Sequence, residues 1–291
     1  MKENKWSLHV YTNPGIIGWD LGGHICFFNG DSEGDTYVPY ITSPHVNVLN
    51  QNEASRAYAR LTSLLRLING MRTLQNESTI GASTTLYFNM RHEDYSENID
   101  TLVEELANPF DESILSKIPK WTKDSKRITE DESRPKRSYI YQDYLQLIID
   151  EPLVREVVLL LTLSEEQVIY LLVNTYKIFE NIRSDLGLPS KLKKNEFNLP
   201  EDLFDALKKM NDHYLYINSR EASGIFCRHG EKYPAPKKDK SPLEDIRSDT
   251  ILAINAWLKY KCLKTFGREY PLKRVENVDK YDEFSISELQ F

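Results

Sequence analysis

The sequence predicts an α+β fold: a small antiparallel β-sheet with one long helix, followed by an all-α up-down helical bundle. Three observations predict it. The N-terminal segment carries short runs of alternating apolar and polar residues punctuated by glycine. One segment within that half, 52–74, has helical spacing instead. From about residue 138 onward every apolar pattern has the helical period, with helix start and stop signals between the runs.

Trp6 to Thr12 sets Trp6, Leu8 and Val10 against Ser7, His9 and Tyr11, the period of a strand with one buried face. Gly15–Asp20 and His24–Phe28 are short apolar runs bounded by Gly22, Gly23 and Gly30. Thr36–Thr42 is rich in β-branched and aromatic residues, and a further strand is expected over Thr84–Met90. The glycines mark the tight turns of a meander. Asn52–Leu74 places Ala54, Tyr58, Leu61, Leu64, Leu65 and Ile68 on one helical face, with Asn52 as N-cap. Residues 1–112 therefore read as a small α+β domain.

Residues 113–137 change character. From Trp121 onward they are polar and highly charged, are interrupted by Pro135 and end in the basic cluster Arg134–Arg137, so an exposed linker is expected.

Tyr139–Ile149 and Pro152–Leu161 read as two helices. Ser164-Glu-Glu-Gln167 has the form of a capping box, which predicts a central helix from there to Leu186, stopped by Gly187 with Pro189 beyond. Its apolar residues, among them Val168, Leu172, Phe179 and Ile182, cover more than one stripe, as a buried helix requires. Pro200 opens the next helix, which carries Leu203, Leu207, Met210, Tyr214 and Ile217. Ser241-Pro242-Leu243-Glu244 is a second capping box, with proline at the first helical position, heading a helix that ends at Gly267. Residues 138–267 form an up-down bundle of about four or five helices, and 268–291 a polar tail.

Bulk properties narrow the function classes. The 291 residues, 40% hydrophobic and 28% charged, describe a globular chain, and a formal net charge of -7 argues against a surface that is basic throughout. The 3 cysteines, Cys26, Cys227 and Cys262, are far apart and odd in number, the pattern of a reducing compartment, and they form no zinc spacing. No apolar run follows the charged N-terminus, and Val157–Leu163, the longest apolar stretch, is far below a bilayer span. A cytoplasmic protein without membrane contact is expected.

Several motifs fall to simpler explanations. Asn29–Tyr40 imitates a calcium loop, but Tyr40 stands where a bidentate glutamate is needed, and a hairpin turn explains the same residues. His9, His24, His45 and His92 lack metal-ligand spacing, and the glycines form neither nucleotide fingerprint. No metal and no cofactor are expected.

The densest chemistry lies in Asn218–Pro236, which brings Asn218, Arg220, Glu221, Arg228 and His229 within a dozen positions between two helical segments. The central helix supplies the facing candidates. Asn174 with Lys177, and Tyr176 with Glu180, each share a helix side. Two readings are open. One is a structural polar network in which Glu180 pairs with an arginine or holds the imidazole. The other is a site in which His229 is acid or base and Arg228 or Arg220 binds an anion, with Glu180 orienting and Asn218, Glu221, Tyr176 and Lys177 binding.

Val173-Asn-Thr-Tyr-Lys-Ile-Phe-Glu180, Ile217-Asn-Ser-Arg220 and Cys227-Arg-His-Gly230 before a last amphipathic helix resemble the HEPN-like bundles of uncharacterised bacterial proteins. The resemblance covers the last half of the chain. It implies a defence or toxin-type protein whose helical domain binds or cleaves RNA, or binds a nucleotide, and a homodimer in which two protomers join their motifs. Arg220 stands nine positions before His229, a longer interval than in active members, so binding without metal-independent cleavage stays open. The β half is then expected to sense or bind a protein partner. The alternative, of a different class, is a non-catalytic interaction and dimerisation subunit.

Overall fold

The computed structural model describes residues 5–11, 16–17, 20–30, 38–97, 99–125, 139–167, 170–189, 192, 198–224 and 243–272. It has the expected α+β class. The strands are β1 (Trp6–Tyr11), β2 (Asp20–Leu21), β3 (Ile25–Gly30), β4 (Val38–Thr42), β5 (Gly81–Phe88) and β6 (Arg91–Glu93). They form one antiparallel sheet in the order β2-β3-β4-β1-β5-β6.

The alternation in β1 fixes which face is buried. Leu8 pairs with Ile41 on one side and Leu86 on the other, and Phe27 pairs with Ile41, so these apolar side chains share the inner face. All are fully buried, as are Trp6, Val10 and Ile25. The opposite face carries an aromatic chain, in which Tyr40 packs against His9, Phe28 and Tyr87, and Tyr87 against His92.

After β4 come α1 (Pro44–Asn47), a short 3-10 turn (Gln51–Glu53) and α2 (Ala54–Leu74). Asn50, not Asn52, heads this start, and its backbone N–H donates to the Glu53 carboxylate at 2.9 Å. Helix α2 is buried along nearly its whole length because the sheet covers one side and α3 (Ile99–Ala107) and α6 (Pro152–Glu166) cover others. At Gly70 the crossing with α6 is closest: a methyl group there would lie 2.5 Å from Val158 Cγ1 and 2.9 Å from the Val158 carbonyl oxygen. Thr162 Oγ1 closes the same contact by donating to the Arg66 carbonyl at 2.8 Å.

The remaining helices are α4 (Glu112–Leu115), α5 (Ile140–Asp150), α7 (Leu171–Asp185), α8 (Glu201–Asp212), α9 (Tyr214–Asn218), α10 (Arg220–Ser223) and α11 (Leu243–Phe266). One continuous apolar core runs from Trp6 and Leu61 through Val157 and Ile178 to Trp257 and Phe266, so the sheet and the helices share it. Several polar groups inside it are satisfied in pairs. Tyr144 donates to Asn255 at 2.8 Å, and Asn255 donates to the Leu74 carbonyl at 2.9 Å, tying α5, α11 and the end of α2 together. The Trp257 indole donates to Asp185 at 2.8 Å, and Lys261 bridges Asp185 and Glu151.

Three local expectations change. Ser164 does not open a helix: it lies inside α6, where its hydroxyl donates to the Leu160 carbonyl, and α6 continues to Glu166. The glutamates of the supposed capping box are drawn outward instead, Glu165 to Arg247 and Glu166 to Arg66. The helix expected from Pro200 to Ile217 is divided at His213 into α8 and α9. In the charged stretch after residue 112, α4 forms first and Trp121 packs on the core. Ser241 and Pro242 of the second capping box, the calcium-like loop tip at residues 31–37 and most of the C-terminal tail lie outside the described residues.

Candidate functional site

The predicted residues fall on α7, α9 and α10. Helix α9 packs against α7, and Leu172, Ile217 and Ile246 form a small apolar cluster where these helices meet the start of α11. Tyr176 packs on it and its ring meets that of Tyr214 at 5.9 Å between centroids. Lys177 is exposed and Glu180 half-buried. Asn174 turns away from this group and donates to the Leu160 carbonyl of α6 at 3.2 Å.

Asn218 is fully buried at the end of α9. Its Nδ2 donates to the Tyr214 carbonyl at 2.8 Å, while its Oδ1 has no hydrogen-bond partner among the described residues. Ser219 then caps α10, its hydroxyl accepting from the Ala222 N–H, which places Arg220 and Glu221 in an exposed first turn. Tyr176, Asn218, Arg220 and Glu221 thus sit on consecutive or touching helices. Arg228 and His229 lie outside the described residues.

Sequence reading missed a histidine here. His213 ends α8, and its Nε2 lies 2.8 Å from Asp249 Oδ2 of α11. The two residues are 36 positions apart, so no local spacing announces the pair.

A second constellation also escaped the sequence. His24 follows Gly22 and Gly23, whose φ angles of 62° and 79° turn β2 into β3 in a conformation that a side chain disfavours. His45 sits in α1, whose cap Ser43 accepts from the His45 N–H and donates to the His24 carbonyl at 2.7 Å. One hydroxyl therefore brings the two histidines together. His24 Nδ1 lies 2.9 Å from His45 Nε2, with the rings parallel to within 2°.

The backbone determines where the protons are. Asp111 N–H donates to His45 Nδ1 at 3.0 Å, so that nitrogen is an acceptor and the His45 proton is on Nε2. His45 must then donate to His24 Nδ1, which leaves the His24 proton on its own Nε2. The dyad is therefore neutral. Burial, followed by the neighbouring His24 and Arg60, pushes the His45 pKa down to about 3. Beneath it Arg60 donates to the His45 carbonyl at 2.6 Å and forks onto Glu105, at 2.5 and 3.0 Å, with both side chains almost wholly buried. Among the described residues no group of three or more histidines, cysteines and carboxylates is placed to hold a metal ion.

Comparisons with protein families, curated proteins and solved structures find no match for this chain.

Proposed function

We propose that the chain binds single-stranded RNA at the end of the bundle where α7, α9 and α10 come together. The observation that supports this reading most is the Tyr176–Tyr214 ring pair on neighbouring helices, with exposed Lys177 and Arg220 alongside. Half-buried aromatic rings stack bases whatever their identity, and flanking cations hold the phosphates. The HEPN-like sequence pattern points to the same class of ligand. Cleavage is the finer version: His229 moves the 2′-hydroxyl or leaving-group proton and Arg228 or Arg220 stabilises the phosphate charge, with Glu180 orienting. No metal is needed for that chemistry.

Fluorescence anisotropy with a labelled single-stranded RNA tests binding. Arg220→Glu and Lys177→Glu are expected to weaken it at least tenfold each and to flatten its salt dependence. Unchanged affinity in both variants would overturn the assignment. Incubation with RNA in chelator, with and without His229→Ala, separates cleavage from binding.

A further inference from the structure

A cleft of about 290 Å³ opens between the β2–β3 turn and α5, lined among others by Gly22, His24, Lys120, Trp121, Gln142 and Gln146. We propose that it binds one nucleobase. This does not depend on RNA binding at the far helices, since a free nucleoside would fit the same chemistry.

The floor of the cleft is Gly22. The point where its missing Cβ would stand is 2.9 Å from Gln142 Oε1 and 3.5 Å from His24 Cδ2. A carboxamide and the edge of an imidazole therefore converge over a residue with no side chain. Among the described residues the other polar groups on the walls are committed elsewhere. Gln146 accepts from the Trp121 N–H and donates to Asp150, both at 2.9 Å, and Lys120 pairs with Asp150 at the rim. The Gln142 carboxamide, by contrast, makes no hydrogen bond to any described residue.

The walls are also held rigidly. The Trp121 indole donates to the buried Asp143 at 2.6 Å and lies 5.2 Å from the Arg268 guanidinium, which donates to the carbonyls of Thr122 and Lys123 as well. The segment after α11 thus fixes the ring that borders the cleft. A fixed indole wall suits a flat, polarisable ligand.

The ligand class follows from the donor set. A carboxamide offers one donor and one acceptor side by side, the pattern that pairs bidentately with a nucleobase edge. The volume lies at the small end of ligand sites, about 300 Å³, enough for a base or nucleoside.

The test is isothermal titration of the full chain with adenosine, guanosine, cytidine and uridine, and with single-stranded tetranucleotides. It is repeated on Gln142→Leu, which matches the side chain in size and removes its hydrogen bonds. Because the Gln142 side chain is half-buried and bonds to no described residue, the variant is expected to keep the parent Tm. One base is expected to bind more tightly than the others, and Gln142→Leu to weaken it at least tenfold. Binding of the free nucleoside identifies a soluble ligand; binding of the oligonucleotide alone, with the same loss in Gln142→Leu, identifies a base presented by a strand. Absence of binding by every nucleoside and oligonucleotide, or binding that Gln142→Leu leaves unchanged, would overturn the proposal. Loss in Gln142→Leu with unchanged binding in both Arg220→Glu and Lys177→Glu would retain this cleft while rejecting the site at the end of the bundle.

Discussion

His24 Nδ1 accepts a hydrogen bond of 2.9 Å from His45 Nε2, and the two imidazoles lie parallel. Only a neutral His45 can receive the Asp111 N–H on Nδ1 and still donate from Nε2. The sheet edge and α1 are therefore joined through a group that must not take up a proton.

This makes stability depend on pH with a definite sign. The His45 pKa is about 3 in the folded chain, against about 6.5 when unfolded, so between those values the unfolded state binds more protons. The contribution is full above about pH 6.5 and falls as the pH drops toward 3, by up to roughly 1.4 kcal/mol per pH unit. Denaturant melts from pH 7.5 to pH 5, stopping above most carboxylate titrations, are expected to show this slope. His45→Gln, although less stable at neutral pH, is expected to flatten it.

Glu105 serves Arg56 and Arg60 together, and its side chain is only 4% exposed. Glu105→Ala leaves the Arg60 guanidinium buried beneath His45 with only the more distant Asp111 carboxylate, at 3.7 Å. A loss of about 3–5 kcal/mol is expected by chemical denaturation. Arg60→Met combined with Glu105→Leu removes both charges and is expected to lose less than Glu105→Ala alone.

Gly70 tests the α2–α6 crossing. On an open helix Gly→Ala would stabilise by up to about 1 kcal/mol. Here the added methyl meets a stiff valine and its backbone carbonyl, so Gly70→Ala is expected to destabilise by about 1–3 kcal/mol. Adding Val158→Ala removes the nearest of the three obstacles, the others being Thr162 Oγ1 and the Val158 carbonyl, and a double-mutant cycle should show favourable coupling between the sites.

The sequence was most legible where burial follows a regular period. Trp6, Leu8 and Val10 mark β1 because one sheet face is dry, and α5 runs close to its expected bounds. It was less legible where tertiary partners decide. Ser164 carries a helix-start signal, yet Arg247 and Arg66 take the glutamates beside it and α6 runs through. His213 breaks a continuous helical pattern and pairs with Asp249 on α11. His24 and His45 looked like isolated histidines because their meeting depends on two left-handed glycines and on the Ser43 cap. Gln142 gave no signal, since its side chain is noticed only because it bonds to no described residue.

The most direct test of the RNA assignment is ultraviolet cross-linking of the full chain to a single-stranded RNA containing 4-thiouridine, with peptides mapped by mass spectrometry. Cross-links are expected at Tyr176, Tyr214 or the residues between Asn218 and His229. A bound RNA whose cross-links all fall on other surfaces would contradict the account.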